Sequence, residues 1–205
     1  MPDFRLEAAA REDGAEVIAG VDEAGRGPWA GPVVAAAVVL DLKRLRPELT
    51  YGLDDSKKLA RRRRVELFAA LRDCADIALG IADVAEIDAR NILVATMAAM
   101  RRAVAGLAPP PHIALVDGNT APPLSCEVRC VVKGDGLSLS IAAASVVAKV
   151  TRDGIMAGLA SAYPGYGWER NAGYGTAEHR EALGRLGPTP HHRRTFAPIA
   201  RLLGD

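Results

Sequence analysis

Four acidic residues stand where short apolar runs give way to glycine: Asp22 and Glu23 ahead of Gly25, Asp117 ahead of Gly118, and Asp135 behind Gly134. Strand ends beside tight turns are where α/β sheets place their reactive groups. Carboxylates brought together raise one another's pKa unless cations neutralise them. An oxygen-only donor set selects hard divalent ions, Mg2+ or Mn2+, over zinc. Two such ions about 4 Å apart would bracket a phosphodiester, activating water on one side and stabilising the leaving oxygen on the other. Taken singly, each acid also reads as a turn former or helix cap. Residues 22 and 23 are adjacent, so a regular strand points them to opposite faces. Both reach one pair of ions only if the strand ends or bulges at Glu23, which the following glycines favour.

The apolar pattern supplies the elements that must carry these acids. Residues 17–21 read as a strand, and residues 32–40, with Val33, Val34, Val38 and Val39, as a second and buried one. Their short separation predicts a hairpin. Residues 59–74 read as a helix with Val65, Leu67, Phe68 and Leu71 inward and its arginines outward, and residues 77–82 as a third strand. Leu93, Met97, Met100, Val104 and Leu107 recur at helical spacing, predicting the longest helix over 85–107, ended by the prolines at 109–111. Strands at 113–116 and 127–132 run into Asp117-Gly-Asn119 and Lys133-Gly-Asp-Gly136. A helix over 138–160 carries Ser145, Lys149 and Arg152 on one polar face, and a glycine- and tyrosine-rich stretch at 163–176 precedes a helix over 177–186. Two adjacent strands followed by alternating helices and strands predict an α/β fold with a mixed sheet.

The 205 residues, 49% hydrophobic and 25% charged, suit one domain with a real core. It divides into an α/β part over about 17–160 and a helical C-terminal appendage over about 161–205 that contributes to substrate binding. No apolar run reaches a membrane-spanning length of about 20 residues, and residues 1–17 lack a signal core, so a cytoplasmic protein is expected. Three cysteines give no disulfide framework; Cys126 and Cys130 lack further zinc ligands nearby, and both, like Cys74, are read as packing residues. A net charge of +1 does not announce a nucleic-acid binder, but local patches decide phosphate binding. Two basic patches occur: Lys57, Lys58 and residues 61–64, then residues 191–194. Each also reads as a solvated helix face or tail.

The segment Gly20-Val-Asp-Glu-Ala-Gly-Arg-Gly-Pro28, followed by Ala30-Gly-Pro-Val33, resembles the first motif of bacterial ribonuclease HII, a type 2 ribonuclease H. Further pieces resemble that family in the same order: Asp54-Asp-Ser-Lys-Lys-Leu59, Val116-Asp-Gly-Asn119, Val132-Lys-Gly-Asp135, Ser140-Ile-Ala-Ala-Ala-Ser145, Ala148-Lys-Val-Thr-Arg-Asp153, Asn171-Ala-Gly-Tyr-Gly-Thr176 and His192-Arg-Arg-Thr-Phe196. The resemblance implies a ribonuclease H-like fold, a five-stranded mixed sheet flanked by helices, with Asp22, Glu23, Asp117 and Asp135 as the catalytic, metal-holding carboxylates. It implies an endoribonuclease that cuts RNA·DNA hybrids, and DNA duplexes with a single ribonucleotide, 5′ to the ribonucleotide, in ribonucleotide removal from DNA. Substrate contacts carry over to the Gly25-Arg26-Gly27 backbone, set to read a ribose 2′-hydroxyl, and to Tyr174, which packs on the neighbouring sugar. Lys57, Lys149 and Arg152 fall near substrate phosphates or support the acids. Lys149 and Asp153, four apart on a helix, also read as a pair, and His191 and His192 as surface or packing residues. Trp29, Leu137 and Ala172 depart from the family pattern, the last two where lysines are expected. A monomer is expected, with no docking peptide for a replication clamp.

The sister enzyme ribonuclease HIII carries an extra N-terminal domain, for which the residues before the first strand are too few. An actin-like ATPase or sugar kinase would need a phosphate-binding turn with Ser or Thr after Asp-x-Gly, which Asp22-Glu-Ala-Gly-Arg26 lacks. A non-catalytic nucleic-acid-binding module remains the alternative, separated by a cleavage assay.

Overall fold

The computed structural model describes residues 1–204. Helix α1 (Arg5–Glu12) precedes an antiparallel hairpin of β1 (Ile18–Ala24) and β2 (Val33–Leu40). Then come α2 (Pro47–Thr50), α3 (Arg61–Leu71), β3 (Ala75–Ala82), α4 (Val84–Arg90), α5 (Ile92–Ala105), β4 (Ile113–Asp117) and β5 (Glu127–Val131). One turn of 3-10 helix (Gly134–Gly136) leads into α6 (Leu139–Ala162), followed by α7 (Trp168–Asn171), α8 (Ala177–Leu186) and α9 (Ala197–Leu203). The five strands form one mixed sheet in the order β3-β2-β1-β4-β5, antiparallel across β3, β2 and β1 and parallel across β1, β4 and β5.

Small residues let the helices lie close to this sheet. On one face Ala95, Ala99 and Ala103 of α5 pack with Val33, Ala35 and Ala37 of β2. On the other, Ala143, Val146 and Val147 of α6 and Leu67 and Leu71 of α3 cover Ala36 and Val38. Each such leucine contributes roughly 1.5–3 kcal/mol by leaving water. Gly20 sits under the start of α6, where a Cβ would fall 2.0 Å from the Ser140 carbonyl carbon. The C-terminal helices close over their own cluster, Tyr166, Trp168, Leu183 and Ile199, which joins the rest through Met156 of α6 and Ala30. No helix among the described residues is long and apolar enough to cross a membrane.

Three expectations are corrected. The helix over 85–107 is two helices broken at Asn91, whose φ of 68° suits asparagine and whose Oδ1 accepts from Leu93 N at 3.0 Å and Val94 N at 3.1 Å. The longest helix is instead α6, with 24 residues. Val65 is 49% exposed, because only Leu67 and Leu71 of α3 are buried. Cys130, on the outer strand β5, is exposed, whereas Cys74 is buried and Cys126 half-buried against the core.

Candidate active site

The acids meet where the central strands part. Val21 of β1 lies opposite Val116 of β4, so the next residue on each neighbouring parallel strand is an acid, Asp22 and Asp117. Of the two arrangements expected at Glu23, a strand end or a bulge, there is no bulge: β1 stays in regular register with β2 and ends at Ala24, while its pairing with β4 already ends at Val21. Asp135 sits on the 3-10 turn, and Gly134 N of that turn donates to Asp117 Oδ1 at 2.6 Å. Asp22 is 5% exposed, and its Oδ1 accepts from Glu23 N at 2.7 Å.

The crowding acts on the protonation of these carboxyls. Burial, then the charges of Glu23 and Asp117, push the Asp22 carboxyl well above the usual carboxylate range, with the nearby Ser145 hydroxyl acting weakly against them. Burial also raises Glu23, opposed by Arg26, whose Nη1 lies 3.3 Å from Glu23 Oε1. Asp135 is raised by burial, then by Asp117 and Asp55. Lys57 is the cation among them: burial works against its charge, but Asp55, Asp22, Asp135 and Asp117 outweigh that and hold the ammonium above its ordinary value.

Among the described residues no three His, Cys, Asp or Glu side chains are gathered tightly enough to enclose one ion. The donor set nevertheless fits Mg2+ or Mn2+. Such ions take one or two carboxylates and complete their shells with water and substrate phosphate, and mutually raised carboxylates gain by accepting a cation.

Beside the acids opens a cleft of about 280 Å³, and Glu23, Gly25, Arg26, Gly27, Lys57, Lys149 and Tyr174 all line it, with Ser56 and Ser145. Lys57 also borders a second hollow holding Asp55, Asp117, Asp135 and Leu137. Lys149 is not a free cation, since its Nζ lies 2.7 Å from Asp153 Oδ1.

The Gly25 loop is held by two buried arginines. Arg193 donates to the carbonyls of Gly25 at 2.5 Å, Arg26 at 2.9 Å and Gly31 at 2.8 and 3.0 Å. Arg152 donates to Ala30 at 3.0 Å and to Pro32 and Ala172 at 2.9 Å. Neither has a carboxylate partner among the described residues. Burial first, then the charge of Arg152, lowers Arg193 to about 9. Because the peptides are trans, turning the Gly25 and Arg26 carbonyls inward turns the N–H groups of Arg26 and Gly27 away from Arg193. Gly25 has φ 101°, and a Cβ there would meet Arg152 Nε at 2.0 Å, so the fold itself demands glycine. At Gly27 a Cβ would meet only Tyr174 Cε1 at 3.7 Å.

Tyr174 is 45% exposed above Gly27, and its carbonyl lies 2.9 Å from His179 Nδ1. His179 Nε2 lies 3.0 Å from His192 Nε2, and His192 Nδ1 accepts from Thr189 N at 2.9 Å. Those partners fix the tautomers: His192 donates to His179, which donates to Tyr174.

The sequence reading of the basic patches is corrected accordingly. Arg152, expected on a polar face and either near phosphates or in support of the acids, and Arg193, in a run read as a basic patch or a solvated tail, are both fully buried. Of the run 61–64, Arg64 donates to the Ser56 and Leu59 carbonyls at 2.8 and 2.6 Å, and Arg62 and Arg63 pair with Glu66. His192 is a packing residue as expected. Asp55, Ser145, His179 and Arg193 were missed as parts of the site. All but His179 lay within recognised motifs, yet an arginine bonded only to carbonyls has no signature in sequence.

A mixed sheet of this order, with carboxylates at the ends of its central strands beside a cleft lined by cations, defines a nuclease of the ribonuclease H-like fold. The model of the family described as "Ribonuclease HII" matches residues 19–199. The chain is 63% identical to the ribonuclease HII of Rhodospirillum rubrum over 205 residues, covering 99% of this chain and 92% of that one. It is 61% identical to that of Paramagnetospirillum magneticum, covering 99% of each. Among solved structures it resembles the ribonuclease H2 of Pyrococcus horikoshii OT3 (TM-score 0.69, 28% identity, 91% of this chain and 96% of that one). It also matches the ribonuclease HII in a PCNA complex from Archaeoglobus fulgidus (0.71, 28%, 88% and 95%). Bst-RNase HIII in complex with Mn2+ shares the fold at 21% identity (0.76, 96% and 72%). The chain belongs to the ribonuclease HII family and is a ribonuclease H hydrolase, an endoribonuclease acting on RNA·DNA hybrids.

Proposed function

We propose that this enzyme cuts the ribonucleotide-bearing strand 5′ to a ribonucleotide, in hybrids and in DNA duplexes with one embedded ribonucleotide, and so acts in ribonucleotide removal from DNA in the cytoplasm. The observation that carries this reading is the single cleft in which Glu23, Gly25, Arg26, Gly27, Lys57, Lys149 and Tyr174 converge beside buried acids. Asp22, Glu23, Asp117 and Asp135 would hold two Mg2+ or Mn2+ ions, the latter being the ion in the Bst-RNase HIII complex. When bound, the ions supply an activated water and neutralise the leaving oxygen.

The chain's own residues bind and orient. The N–H groups of Arg26 and Gly27, fixed by Arg193, are free to meet the ribose 2′-hydroxyl, the group that separates RNA from DNA. Lys57 and Lys149 bind the phosphates, and the Tyr174 ring packs on the following sugar. The chain acts as a monomer and one domain, its part over about 161–205 contributing Tyr174 and its supports.

The test is a duplex carrying one ribonucleotide, incubated with Mg2+ or Mn2+, beside an all-DNA duplex. The expected product has a 3′-hydroxyl on the upstream fragment and a 5′-phosphate on the ribonucleotide, with the all-DNA duplex intact. A donor built to meet a hydroxyl is left unpaired without it, so discrimination should reach about 10⁴. Equal cleavage of both duplexes would overturn the reading.

A further inference from the structure

The N-terminal segment lies ahead of the region matched by the family model, which begins at residue 19. It nevertheless grips the turn that carries Asp135. Asp3 N donates to the Leu137 carbonyl at 3.1 Å and Leu139 N donates to the Asp3 carbonyl at 3.1 Å, one rung of parallel sheet added beside the turn. Four residues later Glu7, 6% exposed, reaches the same place. Its Oε1 accepts from Ser138 Oγ at 2.6 Å, Ser140 Oγ at 2.7 Å and Ser140 N at 2.9 Å. Its Oε2 is buried with no hydrogen-bond partner among the described residues.

A carboxylate with one oxygen triply bonded and the other unpaired is a costly way to fasten a surface helix. The position gives the reason. Ser138 and Ser140 begin α6, directly after the 3-10 turn, and Ser138 N donates to the Gly134 carbonyl at 2.8 Å. From the other side Gly134 N donates to Asp117 Oδ1. Ser140 rests on Gly20, two residues before Asp22. The clamp therefore bears on the one turn that links three of the four acids.

We infer that Glu7 is a positioning residue for the metal-binding acids, holding the 134–140 turn so that Asp117 and Asp135 keep the spacing that a divalent ion requires. The inference rests on the assignment of those two acids as metal ligands. The repulsion among Asp22, Asp117 and Asp135 pushes the turn outward, and the clamp from residues 3–7 opposes it without contacting the ion.

The test measures Mn2+ binding to the full chain by calorimetry, without nucleic acid. Partners behind metal ligands usually contribute roughly 10- to 100-fold in affinity; for a clamp acting through a turn, Glu7→Ala should weaken Mn2+ binding about tenfold. Glu7→Gln keeps the acceptor oxygen and should recover most of that loss. Cleavage at saturating Mn2+ should fall far less than cleavage at low Mn2+. A folded Glu7→Ala with wild-type Mn2+ affinity overturns the inference, whatever its melting temperature. Should Glu7→Ala fail to fold, Ser140→Ala removes a single donor, and a smaller weakening is expected; unchanged affinity there also overturns it. Asp117→Asn serves as reference. If it binds Mn2+ like the wild type, the ligand assignment itself has failed; if it loses Mn2+ and Glu7→Ala does not, only the clamp has.

Discussion

Two neighbouring walls of the site are built on opposite principles. The acid wall, Asp22, Asp117 and Asp135 around Lys57, concentrates like charge that the protein does not neutralise. The Gly25 wall is over-determined: Arg193 and Arg152 together satisfy the carbonyls of Gly25, Arg26, Ala30, Gly31, Pro32 and Ala172. The first wall stores unfavourable electrostatics that a divalent ion would relieve; the second is finished before any ligand arrives. An ion site gains affinity from unmet charge, whereas reading one hydroxyl needs a backbone that does not yield.

The largest effect should come from breaking the acid wall. Asp22→Asn is expected to lower cleavage about a thousandfold, the equivalent of several kcal/mol of lost transition-state stabilisation. The same change should make the metal-free protein more stable at neutral pH. The Asp22 pKa is raised in the fold, so its contribution is fully present below the unfolded value and lost as pH rises through the folded one. Asparagine removes that loss. Parallel cleavage and thermal-unfolding measurements check both signs, and a destabilised metal-free variant would contradict the account of this wall.

Breaking the other wall should reverse the pattern. Arg193→Met leaves the Gly25, Arg26 and Gly31 carbonyls buried without donors, at about 1–3 kcal/mol each. Denaturant unfolding should show a loss of several kcal/mol while Mn2+ affinity of the folded fraction stays near wild type. A stable variant with poor metal binding would show that the two walls are not independent.

The smallest effect, on pH, separates the walls within one protein. Burial, then His179, lowers His192 to about 4 from an ordinary value of 6.5. A depressed histidine contributes stability above its unfolded pKa and loses it as pH falls through the folded one, here from 6.5 toward 4, worth roughly 3 kcal/mol at most. The metal-free acid wall gains stability over falling pH, so His192→Gln should flatten the acid limb of the stability curve. An acid limb as steep in His192→Gln as in the wild type would remove the histidine relay from this account.

The hairpin, all five strands and the helices near 138–160 and 177–186 were legible because valine-rich runs and glycine turns are local signals. The break at Asn91 was not, since the apolar spacing runs on past it and only the cap bonds reveal the left-handed residue. The four acids were legible because each stands beside a glycine turn and within a recognised motif. Asp55 and Ser145 also lie inside such motifs, and Ser145 on a polar helix face, but nothing local to either announces which side chain it will face.

By itself the sequence determined which residue types are present, their local conformations, and, through ordered motifs along nearly its whole length, the family. Tertiary structure alone decided that Arg152 and Arg193 are buried, that Glu23 stays in a regular strand, and that Glu7 meets Ser138 and Ser140. Local signals come from backbone geometry and apolar periodicity, which act over a few residues. The fate of a charge depends on what surrounds it, and here the surroundings arrive from residues up to 168 positions away.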